Sequence, residues 1–422
     1  MPPPKPTQVA SRSEPCGRFP YGPPPPEWSP PRVITVGHTV WQLACGGLER
    51  QMLQILNRLP PETFHHRIVV RSASRPMLQE PAGPAGHIRI VSGGTGSRNR
   101  QWAWNLAGIL REQAVDVLHV RGLTMLPDAV LAARLAGFIP VAFSFHGFES
   151  YPPRLGWIRK RLYRIAVRAC AVRWAVGPSA ARALAETLGL SSGEVEVIPN
   201  GVDGEIFQPP ADRDRIRLRL GLPADRLVLL CVGNLKPVKG HEVLLKAMSE
   251  PETAPRPLTL VFVGEDFQGG GLQRLAEGLP RHLDPRFVGR QDDPLPWYQA
   301  ADLFILPSQW EGMSNALLEA MACGLPVIAT RVGGNTDLVN HEQTGLLAPP
   351  ENPPALAQAI ARLSGDDTLR RRLGAAARAH VLRYHNLRRT AEQYGQQYAR
   401  LAETGSRTRR QSAAANLAEA LT

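Results

Sequence analysis

Two successive sets of short apolar runs, alternating with amphipathic stretches, pass along this chain. That alternation constrains its fold more than any other feature. In the first set, "RVITVGH", "HRIVVRS", "HIRIVS", "VDVLHVRG" and "PVAFSFHG" read as strands. Among them lie "ACGGLERQMLQILNRLP", "WAWNLAGILREQ" and "DAVLAARLAG", which read as helical segments. The second set starts after "VEVIPNGVD" with "LVLLCVGNL", "LTLVFVGE", "RFVG", "DLFILPS" and "PVIAT" as strands. Its helices are "HEVLLKAMSE", "GLQRLAEGL", "LPWYQAA" and "PALAQAIARLS". Strands that are apolar throughout and alternate with helices predict parallel sheets covered on both faces. The expected class is α/β, with two domains of similar construction.

At 422 residues the chain is long enough for two cores. Residues 1–31 carry twelve prolines and little apolar material, so a disordered leader is expected there. The first domain is placed at 32–200 and the second at 201–384. A helix over 385–403 is expected to pack back on the first domain, followed by a flexible tail over 404–422.

The net charge is +12, which calls for an anionic partner: nucleic acid, a membrane surface or a phosphorylated ligand. Arginine carries most of it. Only five lysines occur, and Lys236, Lys239 and Lys246 cluster within "NLKPVKGHEVLLK". The cysteines (Cys16, Cys45, Cys170, Cys231, Cys323) are odd in number and form no CxxC pair. Neither a disulfide framework nor a zinc site is expected from that pattern. No apolar run approaches the ~20 residues of a membrane-spanning helix, and no signal-peptide core appears. A cytoplasmic protein, or one peripheral at the inner face of a membrane, is expected.

Several motifs are missing. There is no GxxxxGK[ST], HExxH or GxSxG, and "GTGSRN" has Asn99 where the third glycine of a dinucleotide fingerprint belongs. What remains stands at strand C-terminal ends, where open parallel sheets bind ligands. Gly233, Lys236 and Lys239 in "VGNLKPVKG" suit a phosphate, or form a solvated basic loop. Gly264 and Glu265 end the next strand, in a plain or a base-binding loop. Gly46 and Gly47 either bring amides to a phosphate or make a tight turn. Gly333, Gly334 and Asp337 suit a site, or a glycine turn and a cap. His146 ends "FSFH". In "WEGMSNALLEAMACGLPVIAT" two glutamates, Glu311 and Glu319, flank a helix start. A helix N-terminus favours an anion, so the paired carboxylates stand where a phosphate would be repelled.

Taken together, "IPNGVD", "VGNLKPVKG", "LPSQWEGMSNALLEAMACGLPVIATRVGG" and "TGLLAPPEN" resemble the retaining GT-B glycosyltransferases with the group-one C-terminal domain (family 4 type). The order and spacing of these pieces, above all the E-x7-E pair, carry the resemblance from about Arg32 to Ala402. It implies a GT-B fold, two Rossmann-like domains facing each other across a cleft. It also implies a nucleotide-diphosphate sugar, UDP- or GDP-linked, as donor, no prosthetic group, no metal and no nucleic acid. The residue matching Glu319 accepts from ribose hydroxyls and that matching Glu311 from the transferred sugar. Amides of Gly312, Met313, Ser314 and Asn315 face sugar and diphosphate. Lys239 matches the lysine that neutralises the leaving diphosphate, Gly46 and Gly47 a glycine loop near phosphate, and His146 a histidine near the reacting sugar. The implied activity is sugar transfer, with retention, to a glycan or lipid-linked acceptor in polysaccharide, glycolipid or other cell-surface glycan synthesis. Two departures stand out: Asn234 replaces a common Arg, with Lys236 two positions on, and Asp337 replaces a common Glu. A catalytically weak, regulatory GT-B protein and a nucleotide-sugar epimerase are the alternatives.

One charged stretch lies outside these motifs. From Tyr151 to Trp174 there are seven cations (Arg154, Arg159, Lys160, Arg161, Arg164, Arg168, Arg173) and no acid. Ile158, Leu162, Ile165, Ala169 and Val172 recur at helical spacing, which predicts one amphipathic helix with a basic outer face. Its two readings are docking on an anionic membrane through 154–173 and an arginine-rich solvated face.

Overall fold

The computed structural model describes residues 32–43, 46–71, 87–93, 101–148, 155–191, 193–250 and 257–420, with side chains to residue 405. The expected leader 1–31, the "GTGSRN" loop, Cys16, Cys45 and Arg154 lie outside the described residues. Strands β1 (Ile34–Val40), β2 (Phe64–Val70), β3 (Ile88–Ser92), β4 (Val117–Val120), β5 (Val141–Phe145), β6 (Val172–Ala175) and β7 (Glu196–Val197) form one parallel sheet, ordered β3-β2-β1-β4-β5-β6-β7. Strands β8 (Leu227–Val232), β9 (Leu258–Val263), β10 (Leu283–Phe287), β11 (Leu303–Leu306), β12 (Val327–Thr330) and β13 (Leu346–Ala348) form the second, ordered β10-β9-β8-β11-β12-β13. Strands β4, β5, β9, β11 and β12 are buried along their whole length, as helices on both faces require. In each sheet the strand order reverses beside the first strand, at β1/β4 and at β8/β11. Crevices for ligands open at such reversals.

The chain passes between the sheets twice, at adjacent points. Val202 N donates to His385 O at 2.7 Å, and Leu387 N donates to Val202 O at 3.2 Å. The last helix, Leu387–Ala420, then returns to the first sheet, where Tyr394 and Tyr398 are buried with Ile34, Val36 and Val117. It does not end near residue 403 but continues to Ala420. The stretch after Gly405, rich in Ala and Arg and free of Gly and Pro, sustains it. The strand expected at "RFVG" instead begins upstream, at Leu283. Among the described residues, no helix is long and apolar enough to cross a membrane.

The basic stretch differs most from expectation. Its helix covers only Trp157–Arg168; Ala169 caps it, and Val172 and Arg173 belong to β6. The buried residues are Tyr163, Ala166 and Val167, whereas Trp157, Ile158, Leu162 and Ile165 are 74, 63, 47 and 59% exposed. At ~100° per residue the exposed apolar stripe sits roughly a third of a turn from the buried one. Periodicity locates a stripe but cannot say which neighbour covers it, because small Ala166 and Val167 seat the helix against the core.

Candidate active site

The loops after β1, β5, β8, β9, β10 and β11 enclose a cleft of about 440 Å³ between the two sheets. Every residue singled out above as catalytic or donor-binding lines it, except Glu265. The main-chain carbonyl of Glu265 instead accepts from Leu235 N at 2.8 Å, tying two loops of the second domain together.

The two glutamates stand at either end of a short helix start. Ser314 caps the helix Asn315–Ala322, accepting from Leu317 N at 3.3 Å, and Gly324, at φ +75°, ends it before β12. Glu311 is buried; Lys239 Nζ donates to its Oε1 at 2.7 Å and Ser308 Oγ at 2.6 Å. At the other end Tyr298 OH donates to Glu319 Oε2 at 2.8 Å. Burial pushes the Glu319 carboxyl up to about 7, although the Tyr298 hydrogen bond and the Arg50 charge both favour the ionised form. Between these carboxylates, the main-chain amides of Gly312, Met313 and Ser314 donate to no group among the described residues. Unpaired amides at a helix start are the material of an anion site.

The same stretch pins the domains together. Asn315 Nδ2 donates to Gly47 O at 2.7 Å, and its Oδ1 accepts from Asn200 Nδ2 at 2.9 Å. Gly312 sits so close to the first domain that a Cβ there would lie 2.1 Å from His146 O. Asp337 accepts from Ser179 N at 3.0 Å and Ser179 Oγ at 2.8 Å, so it caps a first-domain helix and lies off the cleft lining. His146 lines the cleft, held through Nε2 by Ser144 Oγ at 2.9 Å, and burial with the Arg121 charge lowers its ring to about 3. It is therefore neutral at neutral pH.

Two further cations, Arg50 and Arg290, line the cleft without a motif to mark them in the sequence. Arg50 lies one turn into the helix Gly47–Leu56, which Gly46 precedes, and its Nη2 donates to Asp292 O of the second domain at 2.7 Å. Arg290 follows β10 and pairs with Asp292 at 3.2 Å. Nothing local marks either arginine among so many others; only the pairing of loops across the cleft does. Asn234 and Lys236 both line the cleft, with the Lys236 ammonium 4.9 Å above the Phe267 ring. Among the described residues, no three His, Cys, Asp or Glu side chains gather into a metal-holding group.

The family profile described as "Glycosyltransferase Family 4" matches residues 45–205, and that described as "Glycosyl transferases group 1" matches residues 226–366. A D-inositol 3-phosphate glycosyltransferase of Streptomyces bingchenggensis is 35% identical over 45% of this chain and 44% of its own. The chain spans about half the length of this and the other such relatives it matches. A GDP-mannose-dependent monoacylated α-(1-6)-phosphatidylinositol monomannoside mannosyltransferase of Corynebacterium glutamicum is 31% identical over 65% of this chain and 74% of its own. Among solved structures, Anabaena HepE in complex with UDP and glucose superposes with a TM-score of 0.75 at 20% identity, over 87% of this chain and 99% of that one. The sucrose-phosphate synthase of Thermosynechococcus elongatus gives 0.74 at 24% identity, over 88% and 100%. These likenesses show the GT-B fold. With the two profiles covering its two domains in order, and a relative matched over three quarters of its length, the chain belongs to glycosyltransferase family 4, the group 1 glycosyl transferases.

Proposed function

We propose that the protein transfers a sugar from a nucleotide-diphosphate sugar to an acceptor hydroxyl, retaining anomeric configuration and using no metal. One observation carries the reading: Glu311, bound to Lys239, and Glu319, bound to Tyr298, bracket a row of main-chain amides that donate to no group among the described residues, in one interdomain cleft. A ligand charged in its middle and neutral at both ends suits that layout. The diphosphate takes the amides and Lys239, the ribose hydroxyls donate to Glu319, and the sugar hydroxyls donate to Glu311. His146 and the glycine pair Gly46–Gly47 face the same space from the first domain, and Arg50, Arg290 and Lys236 supply the charge that Asn234 lacks. In this reading the acceptor attacks on the face the diphosphate leaves, and a phosphate oxygen takes its proton.

The test is a thermal-shift series with UDP, GDP and ADP, followed by release of nucleotide diphosphate from a sugar-nucleotide panel. A ligand bound only by the folded state raises Tm. Stabilisation by one nucleotide together with release from its sugar is expected. Stabilisation without release favours a regulatory protein, and a changed sugar still attached to its nucleotide favours an epimerase. Both bases belong in the panel, since one relative is GDP-mannose-dependent and a structural neighbour was solved with UDP.

The acceptor side of this reading is a glycan or a lipid-linked molecule at the inner face of a membrane. Its support is the helix Trp157–Arg168, whose exposed Trp157, Ile158, Leu162 and Ile165 adjoin Lys160, Arg161 and Arg164, with no acid on the helix. Apolar side chains beside cations suit an anionic bilayer, with ~1 kcal/mol per cation near the surface. Co-sedimentation with anionic vesicles at low salt is expected, and Ile165→Asp should abolish most of it. Equal recovery with neutral vesicles, or none with either, removes the membrane from the reading.

A further inference from the structure

Seven polar side chains form one hydrogen-bonded chain running inward from the cleft. His146 Nε2 lies 2.9 Å from Ser144 Oγ, which lies 2.8 Å from His119 Nε2. His119 Nδ1 is 2.7 Å from the hydroxyl of Tyr398, on the returning last helix. Arg121 joins two arms of the network: Nη2 donates to that hydroxyl at 3.4 Å, and Nη1 donates to His38 Nδ1 at 2.6 Å. His38 Nε2 is in turn 3.0 Å from His66 Nδ1. Arg121 is 5% exposed, and no carboxylate bonds to it among the described residues. A buried cation left without a counter-charge needs a reason beyond packing.

Direction supplies one. A guanidinium donates and never accepts, so Arg121 fixes its two partners, His38 Nδ1 and Tyr398 OH, as acceptors. Burial holds His38, His66 and His119 well below the ordinary histidine range, and each neutral ring carries a single N–H. On one arm His38 accepts at Nδ1 and donates from Nε2 to His66. The remaining proton of His66 then sits on Nε2, which is buried and unpartnered. On the other arm Tyr398 accepts from Arg121 and donates to His119 Nδ1, His119 Nε2–H donates to Ser144, and Ser144 donates to His146 Nε2. Reversing this arm would aim two donors at the Tyr398 oxygen and leave its own hydrogen without an acceptor in a fully buried place. The forward direction gives every hydrogen between Arg121 and His146 an acceptor. The other His146 nitrogen, Nδ1, bonds to no group among the described residues, and the residue lines the cleft.

We propose that Arg121, Tyr398, His119 and Ser144 are positioning residues that lock His146 in its Nδ1–H tautomer, so that it offers the cleft a hydrogen-bond donor and not a base. The use of that donor, to a sugar or phosphate oxygen, rests on the glycosyltransferase reading; the tautomer does not.

The test reads ring nitrogen shifts in the full, ligand-free chain labelled with 15N-histidine at neutral pH, with His146 assigned as the resonance lost in His146→Gln. A protonated Nδ1 and a bare Nε2 are expected. In Ser144→Ala and in Tyr398→Phe the pattern should move toward Nε2–H, the form a free imidazole prefers. With an active donor, kcat/KM should fall about tenfold in Ser144→Ala, the scale of one hydrogen bond. A shift in either variant supports the proposal. A wild-type ring protonated at Nε2, or a tautomer unmoved in both variants, overturns it. An Nδ1–H ring in a chain that turns over no sugar nucleotide leaves the tautomer standing and removes the transferase reading instead.

Discussion

Lys239→Ala is expected to lower kcat for nucleotide-diphosphate release by roughly 10²–10³-fold, the range for losing one preorganised group aimed at developing negative charge. In the proposed reaction that work falls to Lys239, in the loop after β8, with its ammonium held 2.7 Å from Glu311. The substitution has a second consequence. It leaves the Glu311 carboxylate buried with Ser308 as its one remaining side-chain donor among the described residues, which costs stability as well as rate. Because the lysine side chain is 27% exposed, that cost is smaller than for a fully buried pair, about 1–2 kcal/mol. The double variant Lys239→Ala/Glu311→Gln separates the two effects: its Tm should recover while kcat stays low. Recovery of both would mean that the lysine acts on the fold and not on the leaving group.

Glu319→Gln should raise the stability of the ligand-free protein at alkaline pH while weakening nucleotide binding. The carboxyl stands at about 7 in the folded chain against an ordinary 4.5, because burial disfavours its charged form. A group with a raised folded value binds its proton more tightly in the native state. Its stabilising contribution is therefore fully present below pH 4.5 and is lost as pH rises through 7. The loss amounts to ~3 kcal/mol, at ~1.4 kcal/mol per unit. A glutamine never ionises, so calorimetry should show a Tm gain of several degrees above pH 7 that vanishes toward pH 4.5. A gain independent of pH would rule out ionisation as its source. Binding should respond in the opposite sense. Ribose hydroxyls donate best to a carboxylate, so wild-type affinity for the nucleotide should strengthen as pH rises toward 7, by up to about tenfold per unit. Glu319→Gln should abolish that slope. A site residue that destabilises the empty protein and is relieved by its ligand is what a stability–function conflict predicts.

Much of this site was legible because its pieces are local. "GMSNALLE" announces a capped helix start through Ser314, its stop through Gly324 and Pro326, and its flanking carboxylates by their spacing. Glycines after β1, β8 and β9 mark strand ends for the same reason, since turns are decided within a few residues. Arg50 and Arg290 were invisible, for their meaning depends on Asp292 and on two loops from different domains meeting. Asp337 read as a site or a cap, and its contact with Ser179 makes it a cap, but one that joins the domains.

The alternation of apolar runs and amphipathic helices was enough to call for two parallel sheets, because burial on both faces leaves a continuous hydrophobic signature in each strand. Periodicity is blind to neighbours, however. It gave the helix Trp157–Arg168 an apolar stripe, and packing alone turned Ile158, Leu162 and Ile165 outward by burying Tyr163, Ala166 and Val167 in their place. In the same way nothing near His146 in the chain foretells its tautomer. A proton's position is set by the next donor along, and here the donors come from β4, β5 and a helix some 250 residues further on, brought together only when the last helix returns to the first sheet.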